Sequence, residues 1–140
     1  MSNRVKKIAH VGIATRSIAV TSEFYKSLGL EVDIIEVVED QKVRVAVMAV
    51  GDSAIELIEP TDIDSPVHRS LEARGEGLHH LTFEVEDLAK HLEMLKERNI
   101  KLIDEKPRSG AGNRLVAFIH PDSTGGVLVE LSQHLSEEAS

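Results

Sequence analysis

At 140 residues the chain is long enough for one domain with a buried core, and its formal net charge of −8 argues against general nucleic-acid binding. It has no cysteine, which excludes disulfides and thiolate metal sites and fits a reducing compartment without requiring one. No apolar run approaches the roughly 18 residues of a membrane span. "MSNRVKKIAHVGIA" has a short basic start but neither a long apolar region nor a cleavage site, so it reads as mature, cytoplasmic sequence.

In chain order, "KIAHVGIAT" (Lys7–Thr15) alternates and is β-branched, which predicts a strand. "SIAVTSEFYKSLGL" predicts a helix with Ser17 as its cap and Gly29 as its stop. "EVDIIEVV" and "KVRVAVMAV" are two further strands, parted by the polar "EDQ". "GDS" (Gly51–Ser53) signals a tight turn, and "AIELIEP" is a fourth strand ended by Pro60. The linker at about residues 61–76 holds one short helix after Ser65.

The pattern then restarts. "GLHHLTFEV" predicts a strand, and "EDLAKHLEMLKERNI" a helix with Leu88, Leu92 and Leu95 at helical spacing. "KLIDE", "GNRLVAFIHP" and "GGVLVELSQ" predict three more strands, and the tail "HLSEEAS" reads as frayed. The chain is thus α+β, a single domain over residues 1–140 made of two tandem βαβββ modules at about 7–60 and 77–133.

Specific residues carry the repeat. "AHVGIATRSI" and "HHLTFEVEDL" superpose on His10 and His80; "IELIEP" and "VELSQH" superpose on Glu56 and Glu130. Each module therefore has a histidine in its first strand and a glutamate in its last. Strand side chains alternate, so His10 shares a face with Gly12 and Ala14, and His80 with Thr82 and Glu84. The bulkier sets, Ala9, Val11, Ile13 and His79, Leu81, Phe83, Val85, should pack under the helices. That leaves His80 for an open face and His79 as a packed neighbour. Periodicity does not decide which face Glu56 and Glu130 take. If the first and last strands of each module are adjacent and the curved mixed sheets close on a cavity, all four residues meet. Two imidazoles and two carboxylates suit a borderline-to-hard divalent ion with exchangeable water positions. His68, His91, His120 and His134 have no repeat partner in a ligand-type position and read as structural or surface residues.

With these modules and ligand types, the sequence resembles the vicinal oxygen chelate superfamily. Within it, the sequence is most similar to the methylmalonyl-CoA epimerase family, from about Lys7 to Gln133. "HVGIAT" and "SEFYKSLGLEV" occur across the superfamily, whereas "GEGLHH" and "HPDSTGGVLVEL" are more specific. A metal-dependent glyoxalase I would show a DPDG-type segment where this chain has "HPDSTGG".

The resemblance implies a fold of two modules around a metal-containing cavity, with His10, Glu56, His80 and Glu130 as ligands. It implies Co²⁺ as the first choice of ion, with Mn²⁺, Ni²⁺ or Zn²⁺ as others. The implied reaction interconverts the (R) and (S) epimers of methylmalonyl-CoA by removing and returning the α-proton through an enolate. Glu130 is expected in one proton-carrying role. The acidic segment "EDQKV", matching an "EEQGV"-like segment of the family, nominates Asp40, with Glu39 beside it, for the other. Lys106, Arg108 and Arg114 flank "SGAGN", a basic, Gly-rich contact suited to the CoA phosphates. The implied partners are an acyl-CoA substrate and a second copy of the chain, with no nucleic acid and no membrane. Two alternatives use the same scaffold: a glyoxalase I-type lactoylglutathione lyase, and a non-catalytic small-molecule-binding protein.

Overall fold

A computed structural model of the chain describes residues 4–135; residues 136–140 of the tail read as frayed lie outside the described residues. His10–His79 forms one compact unit, and the described residues before and after it form the other. Strand β1 (Val5–Ala14) starts in the second of these and ends in the first.

In the His10–His79 unit, α1 (Ile18–Ser27) is followed by β2 (Ile34–Val38), β3 (Val43–Val50), β4 (Ser53–Pro60) and α2 (Pro66–Arg74). The strand order is β2-β3-β4-β1; β2/β3 and β3/β4 are antiparallel, and β4/β1 is parallel. One face packs Ile13, Ala46, Met48 and Leu57 against Ile18 of α1. The other face carries Ala14, Val43, Val45 and Ile58, and Val67 and Leu71 of α2 cover it. The linker helix thus closes one end of the face that sequence alternation predicted to be open. Ser65 starts this helix as expected, its hydroxyl accepting the Val67 N–H at 3.2 Å.

The second unit runs through β5 (Gly77–Val85), α3 (Leu88–Glu97), β6 (Arg108–Gly110), β7 (Arg114–Ile119) and β8 (Val129–His134). Its strand order is β5-β8-β7-β6, with β5/β8 parallel and the other pairs antiparallel. Val85, Ala117, Ile119 and Leu131 pack under Leu88 and Leu92 of α3. No helix among the described residues is long and apolar enough to cross a membrane.

The duplication extends to the helix ends. Ser17 accepts the Val20 N–H at 3.2 Å, and Asp87 accepts the Lys90 N–H at 3.1 Å. Glu59 Oε1 takes the Ile18 N–H and Gln133 Oε1 takes the Leu88 N–H, each at 2.8 Å, so a last-strand side chain satisfies each helix start. Past the helix ends stand Gly29 (φ 105°) and Asn99 (φ 59°), two residues that tolerate the left-handed region.

Two strand expectations fall short for one physical reason. Residues 31–33 precede β2 rather than joining it, and Asp33 Oδ2 accepts the Ala49 N–H at 2.9 Å. "KLIDE" forms only an isolated bridge, Leu102 to Ile119, while Asp104 Oδ2 accepts the Phe118 N–H at 2.9 Å. In both places a carboxylate takes a donor that a neighbouring strand's carbonyl would otherwise take. The strand on the side of β7 away from β8 is instead the short Arg108–Gly110 segment.

Candidate functional site

In the His10–His79 unit, parallel pairing sets Glu56 beside Gly12, two residues past His10, and Ile58 beside Ala14. Residues in register across a sheet project from one face, so Glu56 shares the face of His10, which alternation alone left open. Gly12 has no side chain to stand between them, and His10 Nδ1 lies 3.3 Å from Glu56 Oε2.

The second unit repeats this arrangement. Glu130 stands beside Thr82, two residues past His80, and His80 Nε2 lies 3.3 Å from Glu130 Oε1. The Thr82 hydroxyl donates to that same oxygen at 2.5 Å, a length proper to a bond onto a carboxylate. Phe118 meets His80 edge-on, with 5.9 Å between ring centroids, and the Arg108 guanidinium lies 5.7 Å from the Phe118 centroid.

All four residues are buried: His10 to 5%, Glu56 to 8%, His80 to 8% and Glu130 to 7% exposure. Burying imidazole and carboxylate together is costly unless they are paired or coordinate a metal. The chemistry and spacing of each pair fit metal ligation. Two donor atoms each about 2.1 Å from one ion sit about 3.0 Å apart at a right angle and about 3.4 Å apart at the tetrahedral angle. The observed 3.3 Å lies between these.

The other nominated residues are placed differently. Glu39 and Asp40 are exposed on a single 3₁₀ turn, Glu39–Gln41, whose Gln41 carbonyl accepts the Ser65 hydroxyl at 3.0 Å. That turn leads into Val43, four residues before Val47, the β3 partner of Glu56. At the rise of an antiparallel strand this is roughly 13 Å along the sheet. Arg108 and Arg114 are half-buried and Lys106 is exposed; Arg108 Nε lies 3.3 Å from Asp104. His120 Nδ1 accepts the Asp122 N–H at 3.0 Å, and His91 is buried on α3.

Thr82 escaped the sequence reading, because threonine is ordinary in a strand. Its signal was its place in the repeat, where it aligns with Gly12. Glu76 also escaped, though it lies in "GEGLHH". Its carboxylate accepts the Arg16 N–H at 2.8 Å and the Thr15 hydroxyl at 3.1 Å, tying the approach to β5 to the end of β1. Those bonds, the Arg16 N–H foremost, hold its pKa below the ordinary 4.5.

Comparison with known proteins agrees with this geometry. The family described as the glyoxalase/bleomycin resistance protein/dioxygenase superfamily matches residues 9–118. The chain is 45% identical over 130 residues to YqjC of Bacillus subtilis, an uncharacterized protein, covering 92% of this chain and 93% of that one. It is 34% identical over 129 residues to the mitochondrial methylmalonyl-CoA epimerase of Bos taurus, covering 91% and 74%. A variant Streptomyces coelicolor methylmalonyl-CoA epimerase in complex with 2-nitronate-propionyl-CoA superposes with a TM-score of 0.89 at 34% identity, covering 95% of this chain and 100% of that one. With paired histidine and glutamate in matching strands of both units, the chain belongs to the glyoxalase/bleomycin resistance protein/dioxygenase superfamily and, within it, to the methylmalonyl-CoA epimerase family.

Proposed function

We propose that this chain is a metal-dependent methylmalonyl-CoA epimerase. The observation that carries the reading is the duplicated, buried histidine–glutamate pair, held in the same parallel register in each unit. In this reading His10, His80 and Glu130, together with Glu56, make one ligand set for a divalent ion, Co²⁺ first, with Mn²⁺, Ni²⁺ or Zn²⁺ as other choices. Bound there, the ion supplies Lewis-acid stabilisation of the negative charge that develops on the thioester oxygen.

The chain's own residues supply the rest. Thr82 fixes Glu130 through its hydroxyl bond, so that the carboxylate presents its remaining lone pairs in one orientation. Glu130 serves as one proton carrier at the substrate α-carbon, and the family resemblance nominates Asp40 or Glu39 for the other. Arg108, resting on Phe118 close to His80, together with Lys106 and Arg114, offers positive charge to the phosphates of the CoA moiety. A homodimer and a cytoplasmic location belong to the same reading.

The test is turnover by the purified, Co²⁺- or Mn²⁺-loaded protein. Interconversion of (R)- and (S)-methylmalonyl-CoA is expected. Turnover of the glutathione hemithioacetal of methylglyoxal without methylmalonyl-CoA turnover would replace this reading with the lactoylglutathione lyase. Tight binding of either compound without turnover would make the chain a binding protein.

A further inference from the structure

Strand β2, Ile34–Val38, carries a single acid, Glu36, among four apolar residues. Ile35 and Val37 are 53% and 46% exposed, while Glu36 between them is half-buried. Glu36 is in register with Val45, Val45 with Ile58, and Ile58 with Ala14. Registered residues share a face, so Glu36 projects from the face that carries His10 and Glu56. Its neighbours there are Val45 across the strand and Ile34 and Val38 along its own. A carboxylate turned toward valines and isoleucine gives up hydration that an outward position would keep. Ile34 on the same face is 51% exposed, so Glu36 stands where that face opens to solvent and to an incoming ligand.

The row Gly12–Glu56–Val47–Ile34 lies next to the row Ala14–Ile58–Val45–Glu36. Glu36 is therefore two strands across and two residues along from Glu56. With strands about 4.8 Å apart and a rise of about 3.4 Å per residue, the two Cα atoms are about 12 Å apart. That distance leaves room on the face for a small acyl group between Glu36 and the His10–Glu56 pair. Glu39 and Asp40 are exposed at the turn beyond it.

We propose that Glu36, rather than Glu39 or Asp40, is the second proton carrier. This rests on the epimerase reading and sharpens it. One carboxylate breaks the α-C–H bond and becomes a carboxylic acid, and the pair of electrons stays on the substrate as its enolate. The other, already protonated, gives its proton to the opposite face and becomes a carboxylate. For the other epimer the two roles exchange, and proton exchange with water resets the pair. Nothing is oxidised or reduced.

The experiment compares wild type with Glu36→Gln, which keeps the size of the side chain and removes the proton-carrying group. Both are loaded with the same metal and matched in metal content and circular dichroism. Each pure epimer of methylmalonyl-CoA is then incubated in D₂O. E36Q should lose about 100- to 10,000-fold in kcat for interconversion, the range of a general acid or base. It should still exchange the α-hydrogen of one epimer with retention, because one carrier remains, and should not exchange that of the other. Glu36→Asp should recover part of the interconversion. Interconversion by E36Q within about threefold of wild type, or equal loss of exchange from both epimers, would overturn the assignment and leave the epimerase reading standing. A wild type that neither interconverts nor exchanges methylmalonyl-CoA would end both.

Discussion

Thr82 donates its hydroxyl to Glu130 Oε1 at 2.5 Å across the β5/β8 pair, while the corresponding position beside Glu56 is Gly12. The two halves of the repeat thus treat their glutamates differently: one carboxylate is held by a side-chain donor and the other is not held from that position. Removing a partner that orients a metal ligand typically weakens metal binding 10- to 100-fold. Thr82→Val should therefore lower Co²⁺ affinity by about that factor, with Thr82→Ser restoring most of it. Isothermal titration of the metal-free protein measures both. Equal affinity in all three proteins would reduce Thr82 to packing.

On the proposed reading, buried His10, Glu56, His80 and Glu130 act as one ligand set. Substituting either histidine, His10→Ala or His80→Ala, should take bound metal from about one equivalent to a small fraction, although the two residues lie in different units. Metal analysis after gel filtration reads this directly. Retention of stoichiometric metal by either variant would break the single-ion account.

Glu76 gives the fold a dependence on acid. Its carboxyl is held below the ordinary 4.5, first by the Arg16 N–H and then by the Thr15 hydroxyl. A carboxylate lowered in the folded state contributes stability above its unfolded pKa and loses it as pH falls through the folded value. Wild type should therefore be more stable than Glu76→Gln near neutrality, and the gap should close as the pH falls below about 4.5. Glu76 is exposed at the surface, so the gap is small and shrinks in salt. Urea midpoints across the acid range measure it. A gap unchanged with pH would show that the bonds do not distinguish the ionised carboxylate.

Leu71 is 2% exposed on α2, packed over Ala14, Val43, Val45 and Ile58, and Leu92 is 1% exposed on α3 in the other core. Leu71→Ala and Leu92→Ala should each cost about 2–5 kcal/mol, from lost burial and the cavity left behind. Leu71→Ala should also impair catalysis more than Leu92→Ala, since α2 closes the end of the face that carries His10 and Glu56. Denaturant unfolding and steady-state kinetics on the same samples separate the two effects.

Much of the fold was readable because its signals are local. Ser17 and Ser65 mark helix starts by their own hydroxyls, Gly29 marks an end by its backbone, and the His10/His80 and Glu56/Glu130 matches carry the duplication. What failed to show depended on pairing. A period of two says which residues share a face but not which face, so Glu56 and Glu130 waited on the parallel register with Gly12 and Thr82. Asp33 and Asp104 look like strand residues in sequence, yet their carboxylates take ladder donors and end the pairing. Glu36 is a lone acid in "IIEVV", and periodicity alone does not say which face it takes. Its register with Val45 sets it on the face of His10 and Glu56.

The central claim is that this chain moves the α-proton of methylmalonyl-CoA with a bound divalent ion in place. Deuterium wash-in at that carbon, followed by mass spectrometry for chelator-treated protein and for the same protein reloaded with Co²⁺, tests it most directly. The expected result is negligible exchange without metal and rapid incorporation of one deuterium, with both epimers formed, after reloading. Full exchange and epimerisation by the metal-free protein, or none by the reloaded one, would contradict it.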